Sequence, residues 1–143
     1  IGGAMVVLTF VFSPTVYQKL IPIPYLANNL LTWIAIGLLS FALVWVITAQ
    51  RHMQKSWRIG IDEDVKTELV QRGLFKISRN PIFLGIRIML LGLFLILPSA
   101  VMLLIWIAGD LMIQIQVRLE EEFLARSHGA SYLAYRKQVR RWL

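Results

Sequence analysis

The chain of 143 residues is 57% hydrophobic and only 16% charged, which leaves too little polar surface to coat a soluble domain of this size. It has no cysteine and two histidines, which excludes a disulfide framework, a thiolate metal site and a cysteine nucleophile, and argues against a histidine-rich metal site. The net charge of +7 fits basic loops on the cytoplasmic face of a membrane better than nucleic-acid binding, because no basic stripe carries interleaved aromatic residues.

The apolar residues are grouped in long blocks, which predict an all-α, polytopic membrane protein with about four transmembrane helices. Residues 1–12 are shorter than the roughly 20 residues that a bilayer requires, so we expect a span that begins earlier or extends toward Tyr17. Residues 13–29 contain three prolines and two tyrosines, a composition typical of a loop near the lipid headgroups. Residues 30–49 form the clearest span.

A polar segment follows at residues 51–79, with seven basic and four acidic side chains. Asp62 is suited to begin a short helix that runs to about Gln71 and ends at Gly73. Pro81 is predicted in the first turn of the next helix, where its missing N–H costs nothing.

Two further apolar runs, residues 82–97 and 100–117, are separated only by Pro98-Ser99. So short a break predicts a tight antiparallel helical hairpin. The second helix is expected to continue to about Ser127, and residues 131–139 are predicted to form a last short helix.

We interpret residues 1–143 as a single membrane domain, with orientation set by its basic residues. Seven lysines and arginines lie in residues 51–79 and six lie after residue 117, but the loop before residue 30 has one. Both basic segments are therefore predicted to be cytoplasmic, in what we expect is a prokaryotic inner membrane. The predicted parts are two spans (1–50), a cytoplasmic loop (51–81), the hairpin (82–117) and a cytoplasmic C-terminal segment (118–143).

Two ionisable residues, Arg87 and Asp110, lie inside the apolar runs of the hairpin. They lie equally far from the Pro98-Ser99 turn, so antiparallel helices bring them to the same depth. We predict that they pair and fix the register of the hairpin, and they are also placed to line the floor of a polar cavity. The alternative is that Arg87 extends to the headgroups and Asp110 faces water.

The same counting places residues just before the hairpin opposite the end of its second helix. It sets Asn80 level with Val117 and Arg79 level with Arg118. The second helix also carries a polar stripe at helical spacing, formed by Asp110, Gln114, Arg118 and Glu121. Beside it lies an i, i+4 pair formed by Gln116 and Glu120. We therefore expect a polar site at the cytoplasmic interface, although a solvated helix end would also account for the glutamates.

Three stretches carry a resemblance to a known family: "SWRIGI", "TELVQRGLFKISRNPIFLG" and "EEEFLARSHGASYLAYRKQVRRWL". Over about residues 56–143 the chain resembles the isoprenylcysteine carboxyl methyltransferase and phospholipid methyltransferase superfamily of integral membrane enzymes. The resemblance implies methyl transfer from S-adenosylmethionine to a lipophilic acceptor that enters from the bilayer, among membrane lipids. It gives no oligomeric state, and no metal is expected.

By motif match, the resemblance also implies a set of cofactor-binding residues. These are Thr67, Glu68, Leu69, Val70, Phe75, Asn80, Pro81, Ile82, Phe83 and, from the last long helix, Glu120, with Glu121 as the second choice. No catalytic residue is assigned, because the sulfonium of the cofactor is already an activated methyl donor and positioning supplies most of the catalysis.

The chain departs from the family pattern at four positions. Asn80 stands in place of a histidine, and Phe75 and Phe83 in place of tyrosines. Gln116 stands where the prenylcysteine enzymes carry an arginine for the substrate carboxylate, so Gln116 and Arg118 are the expected substrate-binding residues. The acceptor therefore stays open among a lipophilic carboxylate, an aminolipid and a thiol. The alternatives are a non-catalytic membrane scaffold or subunit and, more weakly, a small transporter.

Overall fold

The computed structural model describes residues 14–53 and 69–143, and within these ranges it contains helices and no β-strand. The helices are α1 (Pro14–Lys19), α2 (Asn29–Met53), α3 (Pro81–Ile96), α4 (Ala100–His128) and α5 (Ala130–Gln138), with short 3-10 helices at Pro24–Leu26 and Gly73–Lys76. The all-α prediction is therefore confirmed for the described residues. The predicted first span lies outside them, as does most of the helix predicted from Asp62, whose described end at residues 69–71 is not helical.

Two of these helices, α2 and α4, are long and apolar enough to cross a membrane. They have 25 and 29 residues, and their most apolar windows have mean hydropathies of 2.4 and 1.9 with only 11% of residues buried inside the protein. Most apolar side chains in these windows therefore lie on the outside of the protein, where they are suited to face lipid. Helix α3 has 16 residues, or about 24 Å, which is shorter than the bilayer core of about 30 Å. The described residues thus contain two candidate spans, and the predicted four are not confirmed.

Helices α2 and α3 pack closely because small residues line the seam between them. Ala35, Ala42 and Ala49 recur every seven residues along α2 and are fully buried. Gly85 and Gly92 have the same spacing on α3, and a Cβ at Gly92 would lie 2.9 Å from a leucine side chain of α2. Small side chains at such a seam let two helix backbones approach closely, which compensates for the weak hydrophobic driving force within lipid.

The predicted hairpin is confirmed, with α3 and α4 joined at Pro98-Ser99. Ser99 caps α4, since its hydroxyl accepts a hydrogen bond from the backbone N–H of Met102 (3.3 Å). The predicted Arg87–Asp110 pair is also confirmed, because the Arg87 Nε donates to Asp110 Oδ1. Equal spacing from the turn was sufficient to identify both partners.

The segment before α2 packs against the turn of the hairpin. The Ile23 N–H donates to the Pro98 carbonyl (2.8 Å), and the Ala100 N–H donates to the Ile21 carbonyl (2.9 Å). The sequence predicted a loop here, but the chain forms α1 and a 3-10 helix as well, because Pro14 and Pro24 each occupy a first turn. This segment and the hairpin turn form one end of the bundle. The start of α3, the end of α4 and α5 form the other.

Candidate active site at the start of α3

The SRNP segment, residues 78–81, is buried where α3 begins. Ser78 is fully buried, Asn80 is 7% exposed, and Pro81 is the first residue of the helix, as predicted. The Pro81 carbonyl accepts a hydrogen bond from the Trp45 indole N–H of α2 (2.8 Å). Asn80 occupies the N-cap position but makes no capping bond with its side chain. Its amide is instead directed toward α4.

The centre of the site is the carboxylate of Glu121, which is 6% exposed. Its Oε1 accepts from Asn80 Nδ2 (3.0 Å), and Arg141 donates to both oxygens, with Nη2 2.9 Å from Oε2 and Nε 3.2 Å from each. The Arg79 Nη2 lies 3.5 Å from Oε1. We call these four residues the Glu121 cluster. The hydrogen bonds that Arg141 makes to Glu121 raise the pKa of Arg141. The cluster contains one carboxylate and two guanidinium cations.

Arg79 has hydrogen-bonding capacity that the described residues do not use. Its Nε and Nη1 are buried and have no hydrogen-bond partner of good geometry in residues 14–53 or 69–143. The hydroxyl of Tyr132 lies beside the guanidinium. Since buried donors in folded proteins are nearly always satisfied, these N–H groups are suited to receive an anionic or hydroxyl-bearing ligand.

The C-terminal segment, residues 139–143, lies against the SRNP segment. The Arg79 N–H donates to the Arg140 carbonyl (2.9 Å), and the Ser78 hydroxyl donates to the Arg141 carbonyl (3.2 Å). The Asn80 amide makes a longer bond to the same Arg141 carbonyl (3.4 Å). Residues 139–143 thus contact a segment that lies some sixty positions earlier in the sequence.

Helix α5 contributes two buried tyrosines next to the cluster. The Tyr135 hydroxyl donates to the Phe75 carbonyl (2.6 Å), which fixes the 3-10 helix before the SRNP segment. Burial, reinforced by Tyr132, raises the pKa of Tyr135 above its usual value. Burial and then the Glu121 carboxylate raise the pKa of Tyr132. Both phenols are therefore neutral at physiological pH and act as hydrogen-bonding groups.

A second polar group lies deeper along the hairpin. Asp110 accepts from Arg87 through Oδ1 and from Gln114 Nε2 through Oδ2 (2.7 Å). The ring of Trp142, from the C-terminal segment, lies 4.5 Å from the guanidinium carbon of Arg87, a cation–π contact. The C-terminal segment therefore contacts both polar groups.

Part of the predicted site is brought together by the structure. Asn80 contacts α4, Pro81 contacts α2, and Phe75 is held by α5. The half-buried members of the set are Leu69, Val70, Ile82 and Phe83. Thr67 and Glu68 lie outside the described residues. Contact between these residues and a cofactor stays a prediction.

On α4 the structure brings Glu121, rather than Glu120, to the SRNP segment. Val117 and Glu121 are buried one turn apart on the face that packs inward. Glu120 is only half-buried, and Gln116 and Arg118 are exposed. None of these three makes a hydrogen bond or ion pair with the SRNP segment among the described residues. The sequence interpretation ranked Glu120 first and Glu121 second for cofactor binding, and both roles stay predictions. The substrate-binding roles of Gln116 and Arg118 stay predictions.

The register at this end differs from the simple helical count. Arg79 and Asn80 contact Glu121, about one turn beyond the expected levels of Arg118 and Val117. The backbone at Asn80 is not helical (φ −130°, ψ 55°), and non-helical chain rises more than the 1.5 Å per residue of a helix. The last residues before α3 therefore extend past the predicted level.

The sequence interpretation expected Arg79 near the end of the last long helix but gave it no binding role. It likewise gave no role to four other residues that the structure places in the site: Ser78, Tyr132, Tyr135 and Arg141. The tyrosines had a usable signal, because an i, i+3 pair shares one face of the predicted last helix. Arg141 had none beyond its charge, since nothing local indicates that the C-terminal segment folds back.

A family model described as phospholipid methyltransferase matches residues 30–131, more than half of the chain. The matched segment contains α2, the hairpin, the SRNP segment and Glu121, and it ends before Tyr132 and Arg141. Comparison with curated proteins found no match. Comparison with solved structures also found none.

Proposed function

Because the chain belongs to the phospholipid methyltransferase family, a family of membrane methyltransferases, we propose that it transfers a methyl group from S-adenosylmethionine to a lipophilic acceptor at the membrane surface. The observation that carries the proposal is the Glu121 cluster, a buried polar site at the end of an apolar hairpin. A polar cofactor can reach that end from water, and an acceptor with a long apolar part can reach it from lipid.

The residues present fit the chemical groups of this cofactor. Glu121 and Asn80 offer acceptors to an ammonium or to ribose hydroxyls. The Nε and Nη1 groups of Arg79, which lack a hydrogen-bond partner among the described residues, suit a carboxylate. Phe75 and Phe83 supply aromatic surface for the adenine or the sulfonium. Leu69, Val70, Pro81 and Ile82 would add apolar contacts.

When bound, the cofactor supplies a methyl group already activated by its sulfonium. The tasks left to the chain are orientation of the two reactants and exclusion of water. Glu121 is held by Asn80 and two guanidinium groups at the start of α3. We infer that it positions the cofactor.

One observation favours the alternative of a non-catalytic scaffold. Both oxygens of Glu121 already accept hydrogen bonds from Arg141 or Asn80, so the cluster satisfies much of its own polarity. In a scaffold these contacts would be permanent. In an enzyme they would rearrange when the cofactor binds.

Calorimetric titration of the purified protein in detergent with S-adenosylmethionine separates these functions. We expect binding by the unaltered chain, and a loss in Glu121→Gln of about tenfold or more, since a hydrogen bond to a charged group contributes about 1.5–3 kcal/mol. Glu122→Gln is the matched control, because Glu122 is exposed and, within residues 14–53 and 69–143, pairs with Arg126 alone. Absence of binding by the unaltered chain favours the scaffold. Loss in Glu120→Gln but not in Glu121→Gln would identify Glu120 as the cofactor-binding acid.

The acceptor class is tested by methyl transfer from labelled cofactor into lipid-extractable product. The acceptors compared are an aminolipid, a prenylated carboxylate and a lipophilic thiol. Since Gln116 is neutral where the prenylcysteine enzymes carry an arginine, we expect the prenylated carboxylate to be a poor substrate unless another cation replaces that arginine.

A further inference from the structure

We propose that Arg87 is a specificity-determining residue that binds the anionic group of the acceptor, a phosphate or a carboxylate. The inference deepens the proposed function and rests on it for the identity of the ligand as an acceptor. The anion site itself rests on the hydrogen bonding, exposure and position of Arg87.

The guanidinium of Arg87 has more donors than its neighbours use. Of its five N–H groups, the one on Nε donates to Asp110. Neither Nη atom makes a hydrogen bond with any residue in the described part of the chain. The side chain is 30% exposed, so these donors are not sealed inside the protein. The two Nη groups present a fork of the geometry that binds carboxylate or phosphate through two parallel hydrogen bonds.

The surroundings hold this fork in one orientation. Asp110 fixes the Nε side of the guanidinium, and Gln114 fixes Asp110 in turn. The guanidinium carbon also lies over the Trp142 ring. An arginine restrained by an ion pair and an aromatic ring loses little further conformational entropy when an anion binds to its remaining donors.

The depth of Arg87 suits the headgroup of an acceptor that enters from lipid. It lies six residues into α3, about 9 Å along the helix from Pro81. An acceptor whose chains stay in the bilayer while its reacting atom reaches the SRNP segment must pass this level of the hairpin. An unsatisfied guanidinium in an apolar environment is costly, and an anion there would satisfy it.

Other cations near the site are less suited to this role. The free donors of Arg79 are the ones proposed above for the cofactor carboxylate, and Arg141 binds both oxygens of Glu121. Arg118 is exposed and makes no hydrogen bond or ion pair with the SRNP segment among the described residues, and Gln116, also exposed, is neutral. Arg87 is the cation within α3, the shorter helix of the hairpin.

The test is direct binding of three radiolabelled ligands to the full chain in neutral detergent: dodecyl phosphate, dodecanoate and dodecanol. Scintillation proximity measures the bound fraction at equal mole fraction in the micelle, at mildly alkaline pH where both acids are ionised. We expect both anions to bind at least about tenfold more tightly than the alcohol, as hydrogen bonds between charged groups allow. Comparison of the two anions distinguishes a phospholipid phosphate from a fatty or prenylated carboxylate as the source.

Arg87→Gln should abolish this preference for anions, because a glutamine amide can still donate to Asp110 but carries no charge. Arg87→Gln combined with Asp110→Asn should abolish it equally, which excludes an unpaired Asp110 as the cause. Arg87→Lys should retain part of it. Arg51→Gln is the matched control, since Arg51 is an exposed arginine in the last turn of α2 that is not part of the hairpin, and it should leave the preference unchanged.

The proposal is overturned if the unaltered chain binds dodecanol as well as the anions, or if Arg87→Gln retains the preference. Turnover provides a second readout. The apparent KM for an anionic acceptor should rise in Arg87→Gln, while cofactor affinity measured by calorimetry stays unchanged. A preference for anions that depends on Arg87, in a chain that binds no S-adenosylmethionine, would refute the proposed function and retain the anion site.

Discussion

At the residue scale, the Glu121 carboxylate determines how the start of α3 is held. Burial of a charge costs several kcal/mol, and this cost is offset only where partners with good geometry surround it. Here Asn80 and two arginines do so. The sequence identified the glutamates as candidates because an acidic run at the end of an apolar helix is unusual. The polar stripe included Glu121 while the motif match ranked Glu120 first, and neither indicated the contact of Glu121 with Arg141, which lies 20 positions away in a segment without a local signal.

The buried phenol of Tyr135 leads to a prediction about alkaline pH. Its pKa is raised, so above the ordinary tyrosine pKa of about 10 the unfolded chain loses this proton while the folded chain keeps it. The folded state then binds more protons, and the free energy of unfolding falls as pH rises. Tyr135→Phe should cost about 0.5–1.5 kcal/mol at neutral pH through its lost bond to Phe75, and less as pH rises above 10.

Detergent-denaturation curves at neutral and alkaline pH measure this difference. Tyr25→Phe is the control, because Tyr25 is 94% exposed. This variant should show the same pH dependence of stability as the unaltered chain. Parallel pH profiles for Tyr135→Phe and the unaltered chain would contradict the assignment of alkaline sensitivity to this phenol.

At the scale of elements, the hairpin was predictable and the short helices were not. Pro98-Ser99 interrupts the apolar run, and counting outward from it gives both α3 and the Arg87–Asp110 pair. Regular helices preserve such a count over many residues. The count fails at Asn80, where the backbone leaves helical geometry, and so it missed the contact with Glu121 by about one turn. The fold of the hairpin was thus available from the sequence, but the final arrangement of the site was not.

The seam between α2 and α3 gives the prediction at this scale. A Cβ at Gly85 would overlap the side chain of Val46 and lie 3.1 Å from that of Trp45. Gly85→Ala should therefore destabilise the protein by about 1–3 kcal/mol, as overpacking does. Trp45 also donates to the Pro81 carbonyl, so the displacement should reach the SRNP segment and weaken cofactor binding.

Gly37→Ala is the matched control on α2, because nothing lies within 4 Å of its added Cβ. It should be neutral or stabilising by up to about 1 kcal/mol, the difference in helix propensity between the two residues. Both variants are compared by denaturation in the same detergent. A Gly85→Ala protein as stable as Gly37→Ala would show that the two helices are less closely packed than the structure indicates.

At the scale of the whole molecule, the two ends of the bundle differ in chemistry. One end carries α1 and the hairpin turn, held together largely by backbone hydrogen bonds. The other carries the Glu121 cluster, α5 and the C-terminal segment. Composition alone predicted a membrane protein with its basic segments on one side. It did not predict that the chain beyond α5 returns to the SRNP segment, because that contact is formed by a few side chains and carbonyls that have no periodic pattern.

The last prediction concerns how these two ends lie across the membrane. The SRNP segment and the C-terminal segment are joined by hydrogen bonds, so positions beside them must lie on one side. Helix α2 has 25 residues and spans about 37 Å, enough to place Tyr25 on the other side.

The chain lacks cysteine, so Gln71→Cys, Lys137→Cys and Tyr25→Cys each introduce a single reactive thiol at an exposed position. In oriented membrane vesicles, a membrane-impermeant maleimide should label Gln71→Cys and Lys137→Cys from the cytoplasmic side and Tyr25→Cys from the opposite side, since basic segments stay cytoplasmic. Labelling of Gln71→Cys and Lys137→Cys from opposite sides would contradict the folded arrangement itself. The reverse pattern at all three positions would leave the fold intact and overturn only the orientation inferred from charge.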